Sequence, residues 1–366
     1  MPIPSSLDSS AARAYYTPTP EKTRRTRMAK AIGCLSGGLD STLAMYLIHR
    51  QGIEVIGLNV RHLWHPLSAD PAKKPPAIRA AERLGLRLST IDGAEADLEL
   101  VQHPKHGLGK RMNPCIDCRI WTLRQARGLM GAEGADFVFT GEVLGQRPMS
   151  QHRGALDLVE RESGLEDLLL RPLSAKRLPP TRPEREGIVD RERLLGIVGR
   201  SRHEQMALAA EFGITDYPSP AGGCLLTDPA FARRLRELMD HDPLTAAAVE
   251  LLKVGRHFRL ADGTRIVVGR SAEDNGFLER LFQGGDIRLE AAAIPGPTTL
   301  VRGAATDENL RTAAALTLRY TKAARGTAQP VAVTPVGGEA CTLEAVPADD
   351  GEVHRWMILP KGAGVS

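Results

Sequence analysis

The sequence predicts an α/β fold, a parallel sheet with helices on both faces, followed by a C-terminal α+β domain. Between residues 30 and 173, short runs rich in Val, Ile and Leu alternate with longer amphipathic segments. Such runs are typical of parallel strands buried on both faces. Beyond about residue 227 a hairpin signal, helices and several closing strands follow instead, which favours a second unit of different architecture.

The first unit is expected to hold five strands connected by helices. Ligands of such folds bind beyond the carboxyl ends of the strands, so the loops after residues 35 and 140 are of most interest. The strands are predicted at 31–35, 54–60, 87–91, 136–140 and 168–172, and the helices at 41–50, 77–84 and 119–130.

The rest of the first unit is less regular. Residues 175–186 are rich in Pro and Arg and predict a loop. Helices are predicted at 190–198 and 202–212, with Asp190 and Ser201 in the capping positions.

The second unit begins after a run rich in Pro and Gly, at 217–223, that ends helical structure. We place the boundary near Thr227, which divides the chain into a flexible basic tail at 1–28, a domain at 29–227 and a domain at 228–366. The second unit is predicted to contain helices at 228–239, 272–282 and 307–324 and strands at 254–260, 264–270, 331–334, 339–346 and 353–359, the first two joined by an Asp262-Gly263 turn.

Composition sets the broad class. The chain has 366 residues, 42% of them hydrophobic and 25% charged, as expected of a globular protein. Its net charge of +4 fits a polyanionic partner without requiring one. No apolar run approaches the roughly 20 residues of a membrane helix, and the N-terminus lacks the apolar stretch of a signal peptide, so we expect a cytoplasmic protein with no membrane partner.

The string SGGLDS at 36–41 follows the first predicted strand and runs into a helix. Its glycines let backbone N–H groups turn toward a phosphate, and the helix N-terminus adds positive charge. A carboxylate at Asp40 repels phosphate unless it holds a bridging Mg²⁺. A helix-capping turn is the alternative explanation. The predicted nucleotide-binding residues are Ser36, Gly37, Gly38, Leu39, Asp40, Ser41, Gly141 and Gln146, the last two from the string TGEVLGQRPMSQ that begins at Thr140.

The five cysteines, an odd number without an export signal, favour metal or sulfur chemistry over disulfides. Cys115 and Cys118 form a CxxC that is expected just before a helix, and Cys224 lies in a distant Gly-rich loop. Three thiolates suit a 4Fe–4S cluster that leaves one iron open. A redox pair, a zinc site with a histidine, and simple burial of Cys224 are alternatives. Cys34 and Cys341 are predicted to be packed thiols.

Three motifs carry a resemblance to known families. SGGLDS resembles the loop of the ATP-pyrophosphatase (PP-loop) superfamily, which has an adenine nucleotide α-hydrolase-like fold, cleaves ATP between its α- and β-phosphates and leaves AMP on a carbonyl oxygen. TGEVLGQ resembles a loop of the tRNA 4-thiouridine synthetase (ThiI-like) family. The cysteine pattern is similar to tRNA thiolases without a rhodanese domain, in which three cysteines hold a 4Fe–4S cluster, whereas related members use two cysteines in persulfide chemistry.

The resemblance implies an ATP-dependent tRNA sulfurtransferase that adenylates a uridine carbonyl and replaces its oxygen with sulfur. The implied cofactors are ATP, Mg²⁺ and a 4Fe–4S cluster, and the implied partners are tRNA and a sulfur donor, either sulfide or a cysteine desulfurase. Asp40, Cys115 and Cys224 would be catalytic, and Cys115, Cys118 and Cys224 the metal ligands. The target uridine carbonyl, the choice between cluster and persulfide, and a homodimer stay open.

The second unit resembles the NFACT RNA-binding module at residues 268–275 and 294–303. This implies RNA contacts, and an ordinary structural domain is the alternative. Rival functions for the whole chain are amidation or thiolation of a small molecule by an ATP-pyrophosphatase, and a non-catalytic role in RNA binding or sulfur trafficking. The residues predicted to contact phosphates are Arg256, His257, Arg259, Arg265, Arg270 and Arg302.

Overall fold

The structure is a computed structural model that describes residues 27–68, 72–218 and 223–358. The tail predicted at 1–28 lies outside the described residues up to position 26, and so do residues 219–222 of the run rich in Pro and Gly.

Five parallel strands form the sheet of the first unit, which confirms the predicted α/β architecture. In chain order they are β1 (Lys30–Cys34), β2 (Glu54–Arg61), β3 (Arg87–Asp92), β4 (Phe137–Phe139) and β5 (Leu169–Leu170). Their order in space is β3-β2-β1-β4-β5, so β1 is central. The helices of this unit are α1 (Leu39–His49), α2 (Pro76–Leu84), α3 (Ala94–Gln102), α4 (Cys115–Glu133), α5 (Arg153–Ser163), α6 (Arg182–Arg185) and α7 (His203–Glu211).

The two faces of this sheet are covered by different helices. Ala31 and Phe137 point to the face covered by α1 and α2, whereas their neighbours Ile32 and Val138 point to the face covered by α4 and α5. All four side chains are fully buried. Successive side chains of each strand point to opposite faces and pack into two different cores. Because both faces are buried, these strands are apolar without alternation.

Two predicted elements are wrong in kind. Residues 190–198 contain only a 3₁₀ turn at Arg191–Arg193, because the N–H groups of Leu195 and Ile197 donate to the chain that follows β5, at 3.0 and 2.8 Å. Of the strand predicted at 353–359, residues 353–356 instead belong to a helix that begins at Asp350 after a capping box, and residue 359 lies outside the described residues.

Several helices were not predicted. The loop expected at 175–186 contains α6, which begins at a capping box of Thr181 and Glu184. Helices α3 and α5 also lie outside the predictions. Asp190 caps the 3₁₀ turn by accepting the N–H of Glu192, and the cap position of α7 is Arg202 rather than Ser201.

The second unit is an antiparallel sheet of six strands, as an α+β domain requires. Its strands are β6 (Arg256–Arg259), β7 (Arg265–Val268), β8 (Ile287–Ala291), β9 (Thr299–Arg302), β10 (Gln329–Pro335) and β11 (Cys341–Ala345), and its helices are α8 (Pro229–His241), α9 (Ala246–Leu252), α10 (Ala272–Leu281), α11 (Asp307–Arg319) and α12 (Asp350–Trp356). The spatial order is β11-β10-β8-β9-β7-β6, and the predicted hairpin is β6–β7.

Helices α8 and α9 lie between the two sheets. Phe231 and Leu235 of α8 pack in one buried cluster with Leu63 and Trp64, which follow β2. Leu251 of α9 belongs to a different cluster, with side chains of β7 and α10. Helix α8 therefore has apolar contacts with the first unit, although it follows the predicted boundary. The boundary near Thr227 stays a prediction. Among the described residues, no helix has both the length and the apolar character needed to cross a membrane.

Candidate functional site

The loop from Ser36 to Gly38 connects β1 to α1 at the carboxyl edge of the parallel sheet. Gly37 has a φ of +78°, and a Cβ there would lie 2.3 Å from the backbone nitrogen of Ala77. The Ser41 hydroxyl donates to the Gly38 carbonyl at 2.9 Å and lies 3.1 Å from the Ser36 hydroxyl. Because Gly38 is the N-cap, no side chain from that position covers the first N–H groups of α1, which leaves them for an anion.

The loop after β4 packs directly on this turn. A Cβ on Gly141 would lie 2.5 Å from the Ser41 nitrogen, so only glycine allows the approach. The Gln146 amide donates to Oδ2 of Asp40 at 2.9 Å. The other oxygen, Asp40 Oδ1, is buried and has no hydrogen-bond partner among the described residues. The structure thus brings 36–41, Gly141 and Gln146 together, as the sequence predicts.

Arg202 at the start of α7 is a charged neighbour of this loop that the sequence analysis missed. Its guanidinium lies 3.9 Å from Asp40 Oδ1, and its buried Nε has no hydrogen-bond partner among the described residues. The sequence does not distinguish Arg200 from Arg202. Only the fold shows that Arg202 is partly buried, whereas Arg200 is exposed.

The CxxC lies in the first turn of α4 and not before it, which corrects the prediction. Cys115 and Cys118 are three residues apart and therefore share one face of that turn. The Asn113 amide donates to the Cys115 sulfur at 3.2 Å. The Cys118 sulfur lies 3.9 Å from Nε2 of His62, which follows β2.

Cys224 reaches the same region through backbone hydrogen bonds of its neighbours. The N–H of Leu225 donates to the Trp64 carbonyl at 2.9 Å, and the Leu226 carbonyl accepts the N–H of Met112 at 3.2 Å. Burial raises the pKa of Cys224 to about 12, and the charges of Cys118 and Cys115 add to the effect. The three predicted cysteines therefore share one neighbourhood although Cys224 is distant in sequence.

His62 and Asp97 are site residues that the sequence analysis did not single out. Donor atoms of His62, Asp97 and Cys118 lie within 4.8 Å of one another. Burial disfavours the imidazolium, but hydrogen bonds with Asp97 and Cys118 outweigh it and raise the pKa of His62 to about 10. Asp97 is 1% exposed and lies in the unpredicted helix α3, so no sequence signal marked it.

A buried ionic network connects the nucleotide loop region with the cysteine helix. Glu142 lies 3.1 Å from Nε of Arg119, next to Cys118, and 3.2 Å from Nε of Arg171 after β5. Burial favours the neutral acid, but the two guanidinium charges outweigh it and hold the pKa of Glu142 below its ordinary 4.5. The network fixes the first turn of α4 relative to the loop that carries Gly141.

The two remaining cysteines, both predicted to be packed thiols, differ in their surroundings. Cys34 ends β1 as a packed thiol, and its burial raises its pKa to about 12. Cys341 is exposed on the edge strand β11, so its predicted packing is wrong.

The six basic residues of the second unit are already engaged by this protein, which corrects the prediction that they are free for phosphates. Arg259 and Arg265 pair with Glu237 and Asp242. The other contacts are Arg302 with Asp286, Arg270 with Asp274, Arg256 with the Gly269 carbonyl and the Tyr320 ring, and the buried His257 with the Val254 carbonyl.

Fold and site together define a parallel α/β unit with a glycine-rich loop after its first strand, followed by an antiparallel-sheet unit. The family model described as Thiamine biosynthesis protein (ThiI) matches residues 27–177. The model described as NFACT protein RNA binding domain matches residues 255–357. Both resemblances read from the motifs are thereby confirmed.

Curated relatives are similar over part of their length. The tRNA-specific 2-thiouridylase MnmA of Flavobacterium johnsoniae is 33% identical over 125 residues, which cover 31% of this chain and 31% of the relative. The MnmA of Geotalea uraniireducens is 25% identical over 272 residues, or 68% of this chain and 67% of the relative. The match thus spans about a third of the first relative.

Solved structures resemble the chain more remotely. A 4-thiouridine synthetase–RNA complex with bound ATP has 18% identity and a TM-score of 0.35, covering 62% of this chain and 52% of that one. The C-terminal part of the fibronectin/fibrinogen-binding protein from Streptococcus suis has 15% identity and a TM-score of 0.26, covering 72% and 85%.

Proposed function

We propose that this chain is an ATP-dependent tRNA sulfurtransferase that adenylates a uridine carbonyl and replaces its oxygen with sulfur. One observation carries the proposal: a glycine-rich loop, in which the buried Asp40 Oδ1 has no hydrogen-bond partner among the described residues, is connected through Glu142 to the helix that carries Cys115 and Cys118. The matched families and the thiouridylase relatives support it. A cytoplasmic location and a homodimer stay predictions from the sequence.

The first half of the reaction is adenylation. The uridine carbonyl oxygen attacks the α-phosphorus of ATP, and pyrophosphate leaves. The N–H groups at the start of α1 would bind phosphate oxygens, and Asp40, held by Gln146, would be the residue that holds Mg²⁺, which would neutralise phosphate charge. Arg202 is close enough to Asp40 to neutralise charge on the departing pyrophosphate.

The second half is sulfur transfer. A sulfur nucleophile attacks the ring carbon, a C–S bond forms, and the C–O bond to AMP breaks. Cys115, Cys118 and Cys224 would hold the 4Fe–4S cluster, whose open iron would supply a binding position for sulfide from the donor. The donor set fits this group because three thiols from two distant segments share one neighbourhood, in which backbone hydrogen bonds to Trp64 and Met112 hold the residues that follow Cys224. Persulfide chemistry on two of these cysteines is the alternative.

The tRNA must bring its uridine to the edge of the parallel sheet. Adenylation requires the base to be exposed or flipped out of its stack. We assign tRNA capture to the unit at 255–357 on the strength of its family match. Of the six predicted phosphate contacts, four arginines are paired with carboxylates and His257 is buried, so we expect Arg256 and other side chains of that unit to contact the RNA.

The cysteine part is tested by anaerobic reconstitution of the full chain with iron and sulfide, followed by tRNA thiolation with ATP and sulfide. We expect Cys115→Ala, Cys118→Ala and Cys224→Ala each to lose both iron and thiolation. Cys341→Ala, which removes an exposed thiol of β11, is the matched control and should retain both. Thiolation by iron-free wild type with a cysteine desulfurase and cysteine in place of sulfide would replace the cluster with the persulfide route, and no thiolation at all would favour amidation or RNA binding alone.

The nucleotide part is tested by tRNA-dependent release of pyrophosphate from ATP. Arg202→Gln should lower the rate by about 10²–10³-fold if the guanidinium stabilises the transition state. Arg200→Gln removes an exposed arginine of the same segment and should change little. Equal rates for the two variants would remove Arg202 from the mechanism.

A further inference from the structure

A compact group of metal donors lies beside the cysteine trio. His62 follows β2, Asp97 belongs to α3 and Cys118 to α4, and one donor atom from each lies within 4.8 Å of the others. Imidazole nitrogen and thiolate sulfur are the ligands that zinc and its chemical neighbours prefer. Three separate elements thus converge on one small volume.

Asp97 fixes the orientation of the imidazole. It is buried, its Oδ1 lies 2.9 Å from Nδ1 of His62, and its Oδ2 accepts the N–H of Leu63 at 2.6 Å. A carboxylate that accepts from Nδ1 leaves Nε2 as the free donor, which is the usual support of a metal-binding histidine.

The spacing of the donors suits a single ion. Nε2 of His62 and Sγ of Cys118 are 3.9 Å apart. Tetrahedral bonds of about 2.0–2.1 Å to nitrogen and 2.3 Å to sulfur separate the two donors by about 3.5 Å. Sγ is also 4.0 Å from Nδ1, so the sulfur lies beside the ring, and binding of the ion requires the imidazole to turn Nε2 toward it.

Cys224 is the third donor that the surroundings offer. It packs against the buried cluster that contains Leu63 and Trp64, the two residues that follow His62. Its loop is attached by backbone hydrogen bonds to Trp64, two residues after His62. With His62 and Cys118, Cys224 would complete a three-ligand site with one position open.

We propose that His62, Cys118 and Cys224 bind a single divalent ion of the zinc class in the cluster-free protein, with Asp97 orienting the imidazole. This site shares two thiols with the cluster of the proposed function, so zinc and cluster exclude each other. The inference rests on the cysteine region of the proposed function but does not require thiolation.

The test uses Co²⁺ as the probe, titrated anaerobically into the reduced, metal-free full chain. We expect one equivalent to bind with the absorption of a tetrahedral Co²⁺–thiolate centre, and Zn²⁺ to displace it. Asp97→Asn should weaken binding by about 10–100-fold, and His62→Ala at least as much. His62→Ala should still take up iron and sulfide, because the three cysteines remain.

The matched control is His65→Ala, since His65 lies next to His62, with ring centroids 6.0 Å apart, but is not in the donor group. It should bind Co²⁺ like wild type, and thermal unfolding of each variant separates lost binding from lost folding. Wild-type Co²⁺ affinity and spectrum in folded His62→Ala would overturn the proposal. Failure of tRNA thiolation in wild type would refute the proposed function and leave the Co²⁺ result standing.

Discussion

At the residue scale, two adjacent glycines of the nucleotide loop have different reasons to be glycine. Gly37 has a φ of +78°, and a Cβ there would lie 2.3 Å from backbone atoms of Pro76 and Ala77. Gly38 has an ordinary φ of −74°, and a Cβ there would meet only the Ser36 hydroxyl, at 3.5 Å. The first glycine is required by the fold, and the second leaves room for a ligand.

This difference predicts opposite effects on stability. Gly37→Ala should lower the free energy of unfolding by at least about 1–2 kcal/mol, the cost of the left-handed conformation, because the clash adds to it. Gly38→Ala should leave stability nearly unchanged while weakening ATP binding. Urea unfolding and nucleotide titration of both variants check this, and equal stability of the two would contradict the geometry.

At the element scale, Glu142 joins three elements that the chain order separates. It pairs with Arg119 of α4 and with Arg171 after β5, and it lies in the loop that packs on the start of α1. In the sequence, Glu142 is one residue of the string TGEVLGQ, and nothing there indicates that it is buried between two guanidiniums. The sequence shows that Arg119 and Arg171 are charged, but not that both lie next to Glu142.

Glu142→Gln should lower the free energy of unfolding by about 3 kcal/mol near neutral pH, because the half-buried Arg119 loses its carboxylate partner and the buried Arg171 keeps only Glu160. Since the folded-state pKa of Glu142 lies below 4.5, the carboxylate stabilises the fold fully above that pH and less as pH falls through the folded pKa. The difference between wild type and variant should therefore shrink in acid. Urea unfolding over a pH series measures it.

The matched control for this prediction is Asp157→Asn. It breaks an ion pair with Arg153 in which both side chains are about half exposed, so it should change stability little. A loss from Asp157→Asn as large as that from Glu142→Gln would show that burial does not set the effect.

At the scale of the whole molecule, α8 fastens the two units together. Its apolar face packs on Leu63 and Trp64, beside the cysteine region, while Glu237 pairs with Arg259 and Arg265 of the β6–β7 hairpin. The arginines expected to bind RNA phosphates instead help to dock the second unit. The unit that matches the RNA-binding model therefore lies next to the predicted cysteine site.

A chain that ends after Lys253 should therefore be better folded than one that ends after Thr227. The shorter chain loses Phe231, Leu235 and their neighbours and exposes the apolar surface that they cover. We expect it to bind more of a hydrophobic dye, to aggregate at lower concentration and to unfold less cooperatively. Equal behaviour of both chains would support a boundary near Thr227.

The sequence by itself determined the parallel sheet, the glycine-rich loop between β1 and α1, and which three cysteines share one neighbourhood. These features rest on local signals: apolar runs, glycines that precede a helix, and a CxxC. The same local reasoning missed α3, and with it Asp97, and it assigned a helix to 190–198, where backbone hydrogen bonds to the chain after β5 hold an irregular segment.

Only the tertiary structure decided which other residues lie next to the nucleotide loop and the cysteines. Arg202 faces Asp40, and His62 faces Cys118, because the carboxyl ends of parallel strands gather loops that are far apart in the chain. Whether an arginine is free or paired is likewise a matter of its neighbours in space, as Arg259 and Arg265 show. Local pattern fixes the elements, whereas the partner of a buried charge depends on long-range packing that no short stretch of sequence contains.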